Sequence, residues 1–260
     1  MNAREALAEA ERRLGAAGID TPRVDAELLV AHVLGTTRSG VYAQLDTEVD
    51  GALEPLLARR EQREPLAYVL GEWGFRRLTL HTDARALVPR PETEIVVERA
   101  LALLTGTASP SVLDVGVGSG AIALALKDER GDARVVGVDV SRDALALSGE
   151  NAERLGLDVE LREGGLDAAA EGWDLVVSNP PYVSSLDGLQ PELRHEPENA
   201  LLGQGFHETI ARVARTRFLV LEVGDGQADD VAQVLRFAGY ADVLVTPDLA
   251  GVDRVVEGRR

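Results

Sequence analysis

Hydrophobic residues recur at helical spacing through the first seventy residues of the chain. After Thr21 and Pro22, apolar positions follow at intervals of three and four residues up to Gly35, as they do on one face of a helix. Threonine before proline is typical of a helix start, and glycine of a helix end. A second amphipathic segment covers about 49–63, and no alternating β-branched run is present. We therefore predict a small helical domain over residues 1–72.

The pattern changes after that domain. Residues 73–91 alternate weakly and include two prolines, which predicts a short hairpin that acts as a linker. Residues 92–260 then alternate between strands and helices. The expected strands are Ser111–Val115, Ala133–Asp139, 159–162, 174–178 and Arg217–Val223, with two closing strands at 241–246 and 253–258. Helices are expected over 92–104, up to Leu126, between Ser141 and Gly156, over 208–215 and up to Phe237.

The expected strands are almost continuously apolar, which is typical of strands buried on both faces. Strands and helices that alternate in this way predict an α/β fold with a mostly parallel sheet between two helical layers. Ligands of open α/β sheets bind at the carboxyl ends of the strands. The chemistry of the protein should therefore lie in the segments that follow each strand.

Composition excludes several classes of protein. The chain has no cysteine and only four histidines, without metal-ligand spacing, so neither disulfides nor a metal site are expected. The net charge is −17, which disfavours polyphosphate partners, and we expect no direct contact with nucleic acid. The charged N-terminus is unlike a signal peptide, and no apolar run has membrane length. We expect a cytoplasmic protein with no membrane contact.

A glycine-rich loop follows the first parallel strand. Asp114, Gly116, Gly118 and Gly120 stand at the end of that strand, where glycine lets the backbone adopt positive φ and approach a ligand closely. Asp139 ends the next strand, about 20 residues on, where a carboxylate can accept both hydroxyls of a ribose. This pattern predicts a nucleotide-type cofactor at the sheet edge.

Two cofactors and one ligand-free reading fit the loop. The Gly-x-Gly-x-x-Ala spacing satisfies the dinucleotide fingerprint. The carboxylate of Asp114 suits a sulfonium amino acid better than a pyrophosphate, which favours S-adenosyl-L-methionine. A tight turn without any ligand is the remaining alternative.

The segment "WDLVVSNPPYV" ends a strand in a rigid polar elbow. Proline fixes its own φ and favours an extended residue before it, so Asn179 and Pro180 are held extended. The Asn179 side-chain oxygen and the Pro180 carbonyl then present two acceptors, which match the two hydrogens of an –NH2 group. Pro181 adds rigidity, and Tyr182 offers a flat face to a planar group. A plain proline-rich turn is the alternative, and the elbow alone leaves an amide and adenine equally open.

The chain resembles the bacterial release factor glutamine methyltransferases (the PrmC/HemK family). The resemblance rests on the Asn-Pro-Pro-Tyr elbow and on the segments "PRVDAELLVAHVLG", "RREQREPLAYVLGEWGF", "LVPRPETE", "EPENAL" and "DLAGVDRVVEGR", in that order. It implies a Rossmann-like class I S-adenosylmethionine-dependent methyltransferase sheet behind a small helical domain that docks the substrate. The implied reaction is N5-methylation of the glutamine amide in the Gly-Gly-Gln loop of peptide chain release factors. A monomer is expected.

The resemblance also implies which residues bind. Those implied to bind the methyl donor are Asp114, Gly116, Val117, Gly118, Ser119, Gly120, Asp139, Leu166 and Asn179. Those implied to hold the glutamine, and to serve as the catalytic residues, are Asn179, Pro180, Pro181 and Tyr182, with Arg90 and Glu92 as further substrate contacts. Arg90 and Glu92 also have a plain structural reading, since acids favour a helix N-terminus.

The sequence departs from the family pattern in two places. Gly165 and Leu166 stand where the family has an acidic residue followed by an aromatic, so we expect the adenine contact to be weakened or supplied differently, with Glu163 and Asp167 as candidates to substitute for the acid. The segment between "EPENAL" and Arg217 is also short. An adenine-N6 methyltransferase that acts on nucleic acid is the alternative function. The net charge of −17 disfavours it, because an acidic protein repels the phosphates of nucleic acid. A nicotinamide oxidoreductase and a non-catalytic donor-binding module are more distant alternatives.

Overall fold

The structure, a computed structural model, describes residues 1–183, 185 and 188–260. The chain divides into two compact units, Met1–Glu72 with Leu189–His195, and Trp73–Gly188 with Glu196–Arg260. The stretch 73–91, predicted as a separate linker, thus belongs to the larger unit. Residues 189–195 belong to the helical unit, although the sequence placed them inside the second domain.

The smaller unit is helical. It contains α1 (Ala3–Ala16), α2 (Pro22–Val33), α3 (Leu53–Glu61), α4 (Leu66–Leu70) and the 3-10 turns Gly40–Ala43 and Pro191–His195. Pro22 is the first residue of α2 and Gly35 lies just beyond its end with φ of 60°, as predicted. The helix predicted over 49–63 is confirmed but shorter, because it begins only at Leu53.

A chain of buried and half-buried ion pairs attaches residues 189–195 to the helices. Arg60 donates to Asp25 at 2.7 Å and to Glu192 at 2.9 Å, and Arg63 donates to the second oxygen of Glu192 at 2.8 Å. The side chains of Arg60 and Asp25 are only 7% and 6% exposed. The sequence gives no sign of this pairing, because Glu192 lies more than 100 residues from both arginines.

The larger unit contains a hairpin and an α/β layer structure. Its elements are β1 (Glu72–Phe75), β2 (Leu78–His81), α5 (Thr93–Leu103), β3 (Ser111–Val115), α6 (Ala121–Glu129), β4 (Arg134–Asp139), α7 (Arg142–Leu155), β5 (Glu160–Glu163), β6 (Trp173–Ser178), α8 (Glu198–Leu201), α9 (Phe206–Val213), β7 (Thr216–Glu222), α10 (Ala228–Phe237), β8 (Ala241–Pro247) and β9 (Asp253–Arg259). The predicted hairpin is present as β1 and β2 but ends at His81, well before residue 91, whereas the predicted strands and helices of residues 92–260 are confirmed within a few residues. The short α8 and the 3-10 turn Leu166–Glu171 were not predicted.

Seven strands form one sheet in the order β5-β4-β3-β6-β7-β9-β8. The strands β3 to β7 are parallel, and β9 runs antiparallel to both β7 and β8. Apolar residues of α5 and α6 pack on one face, and those of α9 and α10 on the other. The predicted α/β class with a mostly parallel, doubly covered sheet is confirmed. The carboxyl ends of β3, β4 and β6 therefore meet at one edge.

Among the residues that the structure describes, no helix combines the length and the apolar character that crossing a bilayer requires.

Candidate active site

The loop after β3 turns sharply on glycines. Gly116, Gly118 and Gly120 have φ values of 76°, 55° and 90°, in the left-handed region that side chains disfavour. At Gly120 a Cβ atom would also lie 2.7 Å from both Leu124 Cδ1 and Ser148 Oγ. Gly116 has open space where its side chain would be. The loop therefore leaves room for a ligand beside its backbone.

Asp139 is fixed by the backbone around it. Its Oδ2 accepts a hydrogen bond from the N–H of Gly118 at 3.0 Å, and its Oδ1 accepts from the N–H of Ser141 at 2.9 Å. Each carboxylate oxygen keeps a second lone pair for a further donor. The carboxylate is thus held in place for a diol, which is the geometry that a ribose requires.

Asp114 is a buried carboxyl group behind the loop. Its Oδ2 accepts from the N–H of Ala123 at 3.0 Å, while its Oδ1 is buried without a hydrogen-bond partner among the described residues. Burial raises the pKa of Asp114 to about 7, and the nearby charge of Asp139 raises it further, against the hydrogen bond from Ala123. An unsatisfied buried carboxylate oxygen favours a cationic ligand. The glycine loop, Asp139 and Asp114 together fit S-adenosyl-L-methionine.

Three hydrogen bonds fix the elbow after β6 to neighbouring elements. Ser178 donates its hydroxyl to the Val115 carbonyl at 2.6 Å, which joins the end of β6 to the end of β3. Asn179 Nδ2 donates to Thr93 Oγ1 at 3.2 Å, and Gln227 Nε2 donates to the Tyr182 carbonyl at 3.2 Å. These bonds hold the Asn-Pro-Pro-Tyr segment in one conformation.

Glu196 joins the two signature segments "LVPRPETE" and "EPENAL". Its carboxylate accepts from the N–H of Val88 at 3.1 Å and forms an ion pair with Arg90. Its side chain is only 1% exposed, and burial raises its pKa. Two stretches that are over 100 residues apart in sequence thus form one wall of the site.

A cleft at the carboxyl edge of the sheet brings most of the predicted site residues together. Those that line it are Arg90, Gly116, Val117, Gly118, Ser119, Asp139, Leu166, Asn179, Pro180 and Pro181. Four predicted residues lie outside this lining, namely Asp114, Gly120, Tyr182 and Glu92. Asp114 lies beneath the loop, and Tyr182 turns its hydroxyl toward Glu222 at 3.5 Å. Their roles stay predictions.

Neither candidate substitute for the family's acid after β5, Glu163 or Asp167, lines the cleft. Gly164, Gly165 and Leu166 line the cleft there. Glu163 is exposed and paired with Arg142, and Asp167 is exposed. Among the residues that the structure describes, neither carboxylate reaches the lining of the cleft. This end of the site is formed by backbone and apolar groups.

Sequence reasoning missed Thr93 and Glu222. Thr93 lines the cleft beside Asn179, yet a threonine in the first turn of a helix carries no distinctive signal. Glu222 is 1% exposed at the end of β7 and accepts the Thr93 hydroxyl at 2.7 Å. A carboxylate within the apolar run "RFLVLEV" was the available sign, because an acid at a buried strand position requires a partner.

The fold and the site define a class I S-adenosylmethionine-dependent methyltransferase. The fold is similar to that of the human Mettl16 catalytic domain in complex with a 3′UTR hairpin, with a TM-score of 0.57 and 15% identity over 78% of this chain and 81% of that one. It is also similar to the T. thermophilus 16S rRNA methyltransferase RsmC in complex with AdoMet and guanosine, with a TM-score of 0.52 and 18% identity over 73% and 49% of the two chains.

Sequence comparison gives the family. Residues 5–71 match the PrmC N-terminal domain and residues 94–212 the methyltransferase small domain. The release factor glutamine methyltransferase of Deinococcus radiodurans is 42% identical over 100% of this chain and 99% of its own length. Those of Geobacter sulfurreducens and Escherichia coli are 40% and 37% identical, over 93% and 92% of this chain and 91% and 93% of their own lengths. The chain belongs to the release factor glutamine methyltransferase family, and its cofactor is S-adenosyl-L-methionine.

Proposed function

We propose that this enzyme transfers a methyl group from S-adenosyl-L-methionine to the side-chain amide nitrogen of the glutamine in the Gly-Gly-Gln loop of peptide chain release factors. The observation that carries the proposal is the shared cleft. Asn179 and Pro180, the two acceptors of the elbow, line the same cleft as Gly116 to Ser119 and Asp139. A planar amide held by the elbow therefore faces the donor site.

The elbow supplies position and charge complementarity. The Asn179 side-chain oxygen and the Pro180 carbonyl accept the two amide hydrogens, which directs the nitrogen toward the donor. Alignment of two reactants can remove on the order of 7–11 kcal/mol of a barrier. The same acceptors stabilise the positive charge that develops on nitrogen.

The reaction balances without a catalytic base or metal. The bound donor supplies an electrophilic methyl group on a sulfonium sulfur. The carbon–nitrogen bond forms as the carbon–sulfur bond breaks, and the sulfur keeps the electron pair as a neutral thioether. The nitrogen then loses one proton to water. The elbow's acceptors hold this N–H before its proton leaves.

The partners follow from this chemistry. Release factors are the protein substrate, and the helical unit of residues 1–72 with 189–195 is proposed to dock them. The net charge of −17 favours a protein partner over nucleic acid. We also propose that the enzyme is monomeric, acts in the cytoplasm and does not contact a membrane.

A labelling experiment tests the function. The protein is incubated with methyl-labelled S-adenosyl-L-methionine and, in parallel, release factor, release factor with the loop glutamine changed to alanine, and adenine-containing DNA or RNA. We expect label on the first only. Label on nucleic acid would support the adenine-N6 alternative and contradict the proposal.

Variants of the enzyme connect the label to the elbow. Asn179→Ala is expected to lower the rate by about 100-fold or more, as expected for loss of a preorganised acceptor. Gln233→Ala removes an exposed carboxamide of α10 and serves as the matched control with unchanged rate. Equal rates for both variants would show that the elbow is not the acceptor site.

A further inference from the structure

Glu222 is buried behind the elbow without reaching the cleft. Its side chain lies at the end of β7, and the residue is 1% exposed. Oε2 accepts the Thr93 hydroxyl at 2.7 Å, and Oε1 lies 3.5 Å from the Tyr182 hydroxyl. Glu222 thus touches two residues, one of which contacts the Asn179 side chain.

Thr93 links Glu222 to Asn179 by two hydrogen bonds, and the first determines the direction of the second. The single hydroxyl hydrogen of Thr93 is donated to the Glu222 carboxylate, so its oxygen can only accept from Asn179. The group of the Asn179 side chain that can donate is the NH2, and Nδ2 lies 3.2 Å from Thr93 Oγ1. The carbonyl oxygen of Asn179 is then the end of its carboxamide that is available to a ligand in the cleft.

The opposite orientation would defeat the site. If the Asn179 carboxamide turned by 180°, its NH2 would face the –NH2 of the substrate, and two donors would oppose each other. An isolated asparagine has no strong preference between the two orientations. A carboxylate that accepts only is the feature that makes them unequal.

We propose that Glu222 is a positioning residue that sets the orientation of the Asn179 carboxamide through Thr93, and so makes the elbow an acceptor for an –NH2 group. The proposal deepens the proposed function and rests on it, because it takes the elbow as the acceptor site. Glu222 acts through Thr93 and touches neither substrate nor donor.

The orientation should depend on pH. Burial raises the pKa of Glu222 to about 7, whereas the Thr93 hydroxyl lowers it. The charges that face it are Arg254 of β9, which lowers the pKa, and Glu92 before α5, which raises it. The Tyr182 hydroxyl faces the carboxylate from the elbow. His207 of α9 bonds the Glu222 carbonyl at 2.8 Å, and burial lowers the pKa of its ring.

Protonation would remove the preference. A neutral carboxyl group can donate to Thr93, which can then donate its own hydrogen to the Asn179 oxygen. Both orientations of the carboxamide become accessible below the pKa. The competent fraction therefore falls as the pH falls through about 7.

The kinetic experiment compares wild type with Glu222→Gln across that pH range. We expect the wild-type kcat to fall below the pKa of Glu222 and to level off at about half its value at high pH, because protonation leaves both orientations of the carboxamide populated. Glu222→Gln can accept or donate toward Thr93, so we expect its kcat to lie near this lower plateau, about twofold below the wild-type value at high pH, and to be independent of pH there. The affinity for S-adenosyl-L-methionine should not change, because Glu222 does not line the cleft. A pH dependence that persists in Glu222→Gln would overturn the proposal.

Substitutions of Thr93 test the connection. Thr93→Ser keeps the hydroxyl and should keep the pH dependence of kcat, whereas Thr93→Val lacks the hydroxyl and should lose it. Glu208→Gln, an exposed acid on α9, is the control that leaves the pH profile as in wild type. Melting temperatures of all variants separate loss of folding from loss of orientation. Identical pH profiles for Thr93→Val and Thr93→Ser would also overturn the proposal.

A measurement without substrate distinguishes this proposal from the proposed function. The side-chain NH2 signals of Asn179, assigned by their loss in Asn179→Ala, are followed by nitrogen-15 NMR against pH. They should shift through a pKa near 7 in wild type and stay constant in Glu222→Gln. Constant signals in wild type would contradict the proposal even if release factor is methylated. A shift without release factor methylation would contradict the proposed function alone.

Discussion

A Cβ atom at Gly137 would lie 2.6 Å from Cγ2 of Val117. Gly137 is in the middle of β4, directly beside Asp114 of β3, so the glycine loop folds back over the strand. The N–H groups of Gly116 and Val117 both donate to the Val138 carbonyl at 2.9 Å. The φ of Gly137 is not in the left-handed region, so its backbone conformation does not require glycine. Glycine is required here because a side chain would collide with the neighbouring glycine loop.

We expect Gly137→Ala to displace the glycine loop. The added methyl group meets Val117 and also Leu161, and such overpacking costs about 1–3 kcal/mol of unfolding free energy. Affinity for S-adenosyl-L-methionine should fall with it. Gly149→Ala in α7 is the matched control, because its Cβ finds only an ordinary contact at 3.8 Å and should raise helix stability by about 0.5–1 kcal/mol. Urea unfolding measures the unfolding free energy, and titration calorimetry measures the affinity for S-adenosyl-L-methionine. Equal effects in the two variants would contradict the prediction.

Asp139→Ala should weaken donor binding about 10- to 100-fold. The carboxylate is the expected partner of the ribose hydroxyls, and a hydrogen bond to a charged group contributes about 1.5–3 kcal/mol. Titration calorimetry with S-adenosyl-L-methionine measures the change. Glu153→Ala removes an exposed acid of α7 and should bind as wild type does. Wild-type affinity in Asp139→Ala would exclude the carboxylate from the donor site.

Donor affinity should rise with pH through about 7. Burial holds the pKa of Asp114 at about 7, and a cationic donor favours the ionised form, so binding is weaker while the group is protonated. Binding near neutral pH should release protons, which calorimetry in two buffers of different ionisation enthalpy counts. In Asp114→Asn the affinity should be lower and its dependence on this ionisation absent. An unchanged pH dependence in that variant would assign the effect to another group.

In the protein without donor, the unfolding free energy should fall as the pH rises, whereas the donor affinity rises. The pKa values of Asp114 and Glu222 in the folded state are raised above their ordinary values, so the fold favours the protonated forms. The protonated groups therefore stabilise the fold relative to the ionised groups. The unfolding free energy is highest at acidic pH and falls as the pH rises to about 7, where Asp114 and Glu222 ionise in the folded state. Denaturant unfolding of Glu222→Gln should show less of this loss than wild type.

Arg60→Ala should destabilise the helical unit strongly. The substitution leaves Asp25 buried without its cation, and breaking a buried ion pair in this way costs about 3–5 kcal/mol. Arg12→Ala breaks a pair with Glu9 that is largely exposed, and its melting temperature should match wild type. Hydrogen exchange of the α1 to α4 amides shows whether the loss is confined to this unit. Wild-type protection in Arg60→Ala would contradict the prediction.

Much of the fold could be predicted from the sequence because local signals agree with it. Ser141 accepts from the N–H of Ala144 as the cap of α7, and Gly156 ends that helix with φ of 66°, both at the predicted positions. β3 has the predicted bounds, since an apolar run between proline and glycine leaves little choice. The chain order of motifs likewise predicted which strand ends meet at the cleft.

What could not be predicted depends on contacts between distant residues. The pairing of Glu192 with Arg60 and the placement of Glu222 behind Thr93 leave no periodic trace in the chain. Glu163 and Asp167 were candidates to substitute for the missing acid because they lie close to Gly165 in sequence, but proximity in sequence does not place a side chain in the cleft. After β5 the chain turns into a 3-10 helix, and both carboxylates face solvent instead.

The helical unit is discontinuous along the chain, and this limits how the protein can be divided. A chain that starts at residue 73 retains Glu192 but lacks both guanidinium groups that hold it, and residues 1–72 alone lack the acid that joins Arg60 to Arg63. Exchanging the N-terminal domain between relatives therefore requires two grafts, the first 72 residues and the seven from Leu189 to His195. A hybrid gene with a single junction would separate a residue from its counter-ion at the boundary.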